Sequence, residues 1–374
     1  MGRLASVACA LALSACTRPP VVFGERAPAA CAGHRIHSDP CIGWVFDRMM
    51  MGLSLRAYDD VAITAYVQEV GDRVIRAHGD RREWTFRVLD DDDPNAFAAL
   101  GTTVYINRGI LAVMRNEAEL AGVIGHEVGH VLGGHAHETF HDPGNVGRST
   151  DEETRSLRAA RDDEIQADEM AVMLAARAGY DPRAVETVLR ALAALGPDDG
   201  PRADRTHPQW PERIARVQAM LAVHGTHGGE LGEATYHARI AKLVVGDDPR
   251  VSSIVDGVAV FATAGFALEL PPHHSAKTAN GVVDAELDAT ISVDLRLVHA
   301  ELAKLFRPNK TAGDTATETI IRGRIALAIS VRGPRAAERA RALRAAVRAP
   351  RTSELERLRP ARVDLEAPRL LWMP

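Results

Sequence analysis

The feature that most constrains this chain is the segment 122–137, GVIGHEVGHVLGGHAH. Residues four apart lie on one face of a helix, so His126 and His130 can offer two imidazole nitrogens to one metal ion. Glu127 lies one position further round and can reach a water on that ion. Three protein ligands and one water form the open coordination of catalytic zinc, and a carboxylate beside the water is the general base that hydrolysis needs. The segment therefore predicts a hydrolytic zinc site that still lacks a third ligand.

The same segment has the signals of a helix. Asn116 is a suitable N-cap residue, and Glu119 stands at the capping-box position. Four glycines form a row beside the histidine face: Gly122, Gly125, Gly129 and Gly133. Each costs about 0.5–1 kcal/mol of helix stability relative to alanine. We expect this row to make room for another element close to the metal.

The HExxH motif alone is weak evidence for a metal site in a chain with 15 histidines. A third ligand is needed, and it has two possible sources. The extended pattern HExxHxxGxxH requires a histidine six residues after the second one, but Ala136 occupies that position, between His135 and His137. The other pattern takes a glutamate from a later helix. Glu164 and Asp168 are four apart, so one can bind the metal while the other hydrogen-bonds a ligand histidine. Two weaker alternatives lie where a loop becomes a helix: Glu152 and Glu153.

Several motifs occur together along the chain. NAFA at 95–98 precedes VYINRGIL at 104–111, RDDEIQAD at 161–168 precedes AGYDP at 178–182, and THP at 206–208 precedes Glu212-Arg213. With HEVGH, this combination closely resembles the HtpX/BepA/CAAX-prenyl-protease family of zinc metallopeptidases. The resemblance covers about residues 55–220, and the combination is far more specific than any single motif.

The resemblance implies an α+β fold with a zincin-like metallopeptidase domain, mostly helical with a small sheet. It implies one zinc ion per chain, bound by His126, His130 and Glu164, with Asp168 behind the ligands as a hydrogen-bond partner. The sequence departs from the family pattern at Gly133-Gly134, where relatives more often carry bulkier residues. This departure affects the end of the helix and not the ligands.

The resemblance also implies the catalytic groups. Glu127 would be the base, and His207 and Arg213 would lie near the scissile group. A strand near 102–107 would form the edge on which an extended substrate peptide is laid, although a plain structural strand fits the residues equally well.

The N-terminus has the pattern of an export signal. A short basic start and an apolar run precede Leu13-Ser14-Ala15-Cys16, which resembles a bacterial lipobox. We therefore predict a lipoprotein signal peptide over 1–15 and a lipid on Cys16. The residue after it is Thr17 and not aspartate, which favours the outer membrane and a periplasmic location. The alternative is an ordinary secretory signal in which Cys16 is incidental.

Residues 16–45 are rich in proline and alanine and predict a tether. Cys31 and Cys41 lie within it and are a plausible disulfide in an oxidising compartment. His34 and His37 lie between them, so a Cys-His-His-Cys metal site is the alternative.

The chain length predicts about two domains. We expect a metallopeptidase domain over 46–223, a linker over 224–233 and a smaller α+β domain of unknown role over 234–374. The formal net charge is −5, and basic residues form no patch with interleaved aromatic residues. Nucleic acid is therefore not an expected partner.

Apolar periodicity predicts the elements around the motif. Helices are expected over 57–77, 152–178, 182–195 and 335–348, and strands over 84–89, 102–107, 283–295 and 325–331. The segments 140–150 and 196–204 are expected to be loops.

The sequence thus predicts a zinc endopeptidase of the bacterial envelope. The resemblance implies misfolded or stalled envelope proteins as its substrates. Two alternatives remain open at this stage. One is an assembly factor or chaperone with a structural zinc site, and the other is a self-inhibited protease in which His207 is a fourth metal ligand.

Overall fold

The structure is a computed structural model. It describes residues 21–22, 25–26, 39–53, 55–98, 101–135, 150–195, 210–224, 228–246, 248–279, 282–299, 311–312, 314–322 and 325–358. The predicted signal peptide, Cys16, Cys31 and His207 lie outside these residues, as do the predicted loops 140–149 and 196–204.

The first part of the chain is mainly helical, with a small sheet. Its elements are β1 (Val21–Val22), β2 (Glu25–Arg26), α1 (Asp39–Leu53), α2 (Val61–His78), β3 (Thr85–Leu89), β4 (Ala96–Ala98), β5 (Thr103–Asn107), α3 (Arg108–Val113), α4 (Glu117–Gly133), α5 (Thr150–Arg177), α6 (Arg183–Ala194), α7 (Trp210–His224) and α8 (Glu233–Ile240). The predicted helices and strands of this region are confirmed, with bounds shifted by a few residues.

The second part contains two further sheets and short helices. Its elements are β6 (Ser253–Val255), β7 (Val258–Phe261), β8 (Phe266–Glu269), β9 (Ser275–Ala279), β10 (Val282–Asp288), β11 (Ile291–His299), β12 (Thr311–Ala312), β13 (Thr315–Arg322), β14 (Ile325–Arg332), α9 (Ala336–Ala346) and α10 (Thr352–Leu355). The mixed helix and sheet content confirms the α+β class.

The sheet nearest the HExxH helix has the order β3-β5-β4. β3 pairs parallel with β5, and β4 pairs antiparallel with the other side of β5. The strand predicted over 102–107 is therefore the central strand, and the expectation that it forms the edge is wrong. The edge on that side is β4, which contacts α4.

The first hydrophobic core lies among α2, β3, β5, α4 and α5. α8 and the residues after it also belong to this core through Tyr236, Ile240, Leu243 and Val244. The hydroxyl of Tyr236 donates to the carbonyl oxygen of Leu111 at 2.6 Å. The first core thus extends beyond residue 233, where the sequence placed the start of the second domain, and the domain boundaries remain predictions.

A second core lies beneath a six-stranded antiparallel sheet of order β12-β13-β14-β11-β10-β9, on which α9 packs. The single strand predicted over 283–295 is wrong, because β10 and β11 form a hairpin that turns at Ala289-Thr290. Asp288 closes this turn by accepting from the backbone amide of Thr290 at 2.7 Å. On both strands the odd-numbered residues point into the core, so the alternation of apolar and polar residues continues through the turn and predicts one strand.

The end of the predicted tether is helical, because α1 begins at Asp39. Asp47 on this helix accepts from Tyr105 at 2.8 Å and from Arg87 at 2.6 Å, which ties α1 to the sheet. Cys41 is buried and disulfide-bonded. Its pairing with Cys31 stays a prediction. In the described ranges, every helix is too short or too polar to cross a bilayer.

Candidate active site

α4 carries the HExxH motif, and its ends follow local rules. The side-chain oxygen of Asn116 accepts from the backbone amide of Glu119 at 2.9 Å, as an N-cap should. The Glu119 carboxylate accepts from the backbone amide of Arg115 at 2.6 Å, one residue earlier than a capping box requires. Gly134 ends the helix at φ 75°, a left-handed conformation that glycine adopts without strain.

α4 and α5 bring the candidate ligand atoms of three residues together. His126 Nε2 and His130 Nε2 lie 3.1 Å apart. Glu164, from α5, places Oε2 at 3.5 Å from His126 Nε2 and Oε1 at 3.4 Å from His130 Nε2. The structure thus brings the three predicted ligands to one point.

The spacing of these atoms fits a tetrahedral zinc ion. Zinc bonds to nitrogen and oxygen are about 2.0–2.2 Å long, so the ligand atoms of a tetrahedral site stand about 3.3–3.6 Å apart. The closest approaches between the three residues are 3.1, 3.4 and 3.5 Å, close to these values, with the last two made by different oxygens of Glu164. Two imidazoles and one carboxylate are also a donor set of catalytic zinc sites. Within the described ranges this is the one group of three that meets the geometry of a metal site.

The glycine row explains how α5 approaches so closely. A Cβ added to Gly129 would lie 3.0 Å from Cα of Ala167, and one added to Gly125 would lie 3.1 Å from Cα of Ala171. Gly122 faces α6 instead, where the nearest atom is a side-chain methyl of Val185 at 3.2 Å. The expectation that the row admits another element is confirmed, and that element is the helix that carries Glu164.

Asp168 and Arg213 lie behind the ligands. His126 Nδ1 lies 2.9 Å from Asp168 Oδ1. Arg213, from α7, donates to both oxygens of Asp168, at 2.8 and 2.7 Å, and its NH1 lies 3.1 Å from Glu164 Oε2. A carboxylate that accepts from the second nitrogen of a ligand histidine fixes the orientation of that ring. Arg213 in turn fixes the carboxylate.

Burial and charge shift the pKa values in opposite directions. Burial lowers the pKa of His126, but hydrogen bonds to Asp168 and Glu164 outweigh it and raise the pKa to about 10. Burial alone would raise the pKa of Asp168, but hydrogen bonds from Arg213 and His126 lower it below its ordinary value. Asp168 is therefore held as a carboxylate, the form that accepts from His126.

The contacts of Arg213 differ from those expected of a residue at the scissile group. The sequence placed it near the scissile group, whereas its guanidinium contacts Asp168 and Glu164 and its side chain is only 7% exposed. This geometry suits a residue that positions the ligands, and the predicted place of Arg213 near the scissile group stays a prediction. His207 lies outside the described residues, and its role stays a prediction.

Glu127 is buried on α4, beside His126. Burial lowers the pKa of Arg213, but hydrogen bonds to Asp168 and the charges of Asp168, Glu164 and Glu127 raise it above its ordinary value. The sequence analysis missed a neighbour of His130. His135 Nδ1 lies 2.8 Å from His130 Nδ1, so His135 stands behind a ligand and is not itself one. Its position just past the end of α4, five residues after His130, was the available signal.

The comparisons with known proteins agree with this geometry. Residues 62–143 and 152–221 match Peptidase family M48. In an alignment of 186 positions that covers 43% of this chain and 38% of the relative, the chain is 30% identical to mitochondrial metalloendopeptidase OMA1 of Arabidopsis thaliana. OMA1 of Schizosaccharomyces pombe is 28% identical over 42% of this chain and 53% of its own length. The beta-barrel assembly-enhancing protease of Escherichia coli (strain K12) is 26% identical over 46% of this chain and 42% of its own length.

A first prediction concerns the helix contact. Gly129→Ala should lower the free energy of unfolding by about 1–2 kcal/mol, because the added methyl meets the backbone of α5 and this overpacking outweighs the gain in helix propensity. Gly122→Ala is the control and should cost less, since a side-chain methyl of Val185 can move aside. Urea denaturation of both variants measures the difference. A Gly129→Ala protein as stable as wild type would contradict the tight contact.

A second prediction separates the two roles of Arg213. Arg213→Lys keeps the charge but cannot bind Asp168 through two parallel hydrogen bonds, so zinc affinity should fall about 10–100-fold. Arg216→Lys, an exposed position on the same helix, is the control and should bind zinc as wild type does. Competition with a chelator measures both. Unchanged zinc affinity in Arg213→Lys, with a lower kcat, would instead support direct contact with substrate.

The matched relatives are longer than the shared region, and this chain spans about two fifths to one half of their length. The family match covers the segments that supply His126, His130, Glu164 and Arg213. The match, the relatives and the ligand geometry agree that residues 62–143 and 152–221 are similar to metallopeptidases of family M48.

Proposed function

We propose that this protein is a zinc-dependent endopeptidase in which Glu127 is the general base. The observation that carries the proposal is the convergence of His126, His130 and Glu164, whose ligand atoms lie close enough together to bind one metal ion. Glu127 adjoins His126 on the same helix, and a purely structural zinc site has no need of such a base.

The chemistry follows from these residues. Zinc in an open site lowers the pKa of a bound water from 15.7 to about 7 and polarises a carbonyl. Glu127 accepts the proton of the attacking water and passes it to the leaving amine, as a positioned carboxylate does in general acid–base catalysis. His126, His130 and Glu164 hold the metal, and Asp168 keeps the His126 ring in place.

The position of β4 supports a way of binding substrate. One side of β4 pairs with β5, and in the described residues no strand pairs with its other side. β4 also contacts α4, the helix that carries Glu127. We propose that an extended substrate peptide adds to β4, so that backbone hydrogen bonds hold it beside the metal and side-chain selectivity is low.

We place the protein in the bacterial envelope, with misfolded or stalled envelope proteins as substrates. Three features support this proposal. They are the lipobox-like segment ending at Cys16, the disulfide-bonded Cys41, and relatives named beta-barrel assembly-enhancing proteases. The region after residue 244 would serve docking or substrate handling.

The rival function is an envelope assembly factor with a structural zinc site. Buried Glu127 beside the ligands favours the enzyme, because burying a carboxylate costs free energy and a structural zinc site makes no use of it. A self-inhibited enzyme, with His207 as a fourth ligand, is compatible with the same three ligands.

A third prediction tests the enzyme against the assembly factor. Glu127→Gln is nearly isosteric, so zinc content and melting temperature should stay as in wild type. Cleavage of an unfolded protein in a single turnover should fall about 10²–10⁴-fold, because the proton acceptor is lost. Glu169→Gln, exposed on α5, is the matched control and should cleave normally, whereas Glu164→Ala should lose zinc.

Two outcomes of that experiment would contradict the enzyme. Equal cleavage by wild type and Glu127→Gln would mean that another base acts. If neither protein cleaves, and Glu127→Gln restores envelope integrity in a deletion strain, the assembly factor is the better description.

A fourth prediction concerns export. Labelling with a palmitate analogue in a bacterial host should be lost in Cys16→Ser and retained in Cys9→Ser, because only Cys16 follows the lipobox-like residues. A soluble, unlabelled wild-type protein would exclude the lipid anchor and leave the peptidase proposal unaffected.

A further inference from the structure

We infer that His135 and Gln166 form a relay that positions the ligand histidine His130. This inference rests on the proposed zinc site. It identifies His135 as a positioning residue that acts through the ligand His130. It thereby assigns a role to the residues at the end of α4, which take no part in the reaction itself.

The distances define the relay. His135 Nδ1 lies 2.8 Å from His130 Nδ1, and His135 Nε2 lies 2.7 Å from Gln166 Oε1. Asp163 also faces the ring, with Oδ1 at 3.5 Å from His135 Nε2. The side chain of His135 is only 8% exposed, so the protein holds the ring and solvent has little access to it.

The direction of each hydrogen bond follows from the metal site. A metal bound to His130 Nε2 would leave the proton of this ring on Nδ1, and that nitrogen would donate to His135 Nδ1. The ring of His135 then carries its own proton on Nε2, which donates to the carbonyl oxygen of Gln166. Every group in the relay thus has one consistent role as donor or acceptor. Gln166 lies two residues after Glu164, so α5 supplies both the third ligand and the end of the relay.

Gly133 provides the space for this relay. A Cβ at this position would overlap His135 Nε2 and lie 2.9 Å from Gln166 Oε1. Gly125 and Gly129 admit the backbone of α5, whereas Gly133 admits a side chain. The space at the end of the row therefore has a separate use, because the His135 ring and the Gln166 amide occupy it.

The test uses a matched pair of substitutions. In His135→Asn the amide oxygen replaces Nδ1 as acceptor, while His135→Leu has a similar volume and no acceptor. We expect His135→Leu to bind zinc about 10–100-fold more weakly than wild type, and His135→Asn to restore most of the affinity. The measurements are chelator competition for zinc and the melting temperature of the zinc-stripped proteins. A residue that only supported the fold would lower that melting temperature, which we expect to be unchanged.

Gly133→Ala provides a second test that does not alter His135 itself. Alanine favours the helix more than glycine does, so the zinc-stripped protein should melt no lower than wild type. Zinc should nevertheless bind about 10-fold more weakly, because the methyl displaces the His135 ring.

The outcomes separate this inference from the proposed function. Equal zinc affinity in wild type, His135→Leu and Gly133→Ala would overturn the relay and leave the zinc site standing. Equal weakness of His135→Asn and His135→Leu would also overturn it, because the acceptor would not matter. A wild-type protein that binds no zinc would overturn the metal site and the relay together.

Discussion

The close contact between α4 and α5 is the constraint on which the site depends. Gly125 and Gly129 let the backbones of Ala167 and Ala171 approach to distances that a Cβ would obstruct. Glu164 lies one turn before this contact on α5, so a larger residue in the row would move its carboxylate away from both histidines. Several glycines in one helix carry a conformational cost, and in return they allow the close helix spacing at which Glu164 reaches both histidines.

The second constraint is charge. Three buried carboxylates, Glu127, Glu164 and Asp168, surround one buried guanidinium, that of Arg213. With His126 neutral, as a metal ligand must be, these buried groups have a formal excess of two negative charges, and buried charge is costly unless it is compensated. A divalent cation bound by the three ligands neutralises this excess. The raised pKa of His126 has the same origin, since neighbouring carboxylates favour a positive charge on the ring.

Much of this arrangement follows from the sequence, because it depends on spacing along helices. The HExxH spacing and the Glu164–Asp168 spacing predict which side chains share a face, and the structure places them together. What was missed depends on the path of the chain between elements. His135 lies past the helix end, the edge position of β4 depends on strand order, and the β10–β11 hairpin keeps the odd–even pattern through its turn. Periodicity carries no information on these features.

The two ligand histidines are supported in different ways, and the charge of the site explains the difference. Behind His126 stands the carboxylate of Asp168, which is itself held by Arg213. A second such carboxylate behind His130 would add negative charge to a site that already carries an excess, and no further buried guanidinium stands near it in the described residues to compensate. A neutral imidazole can still accept from His130 Nδ1 and fix the ring. His135 meets that requirement without adding charge, and Gly133 leaves the space that it occupies.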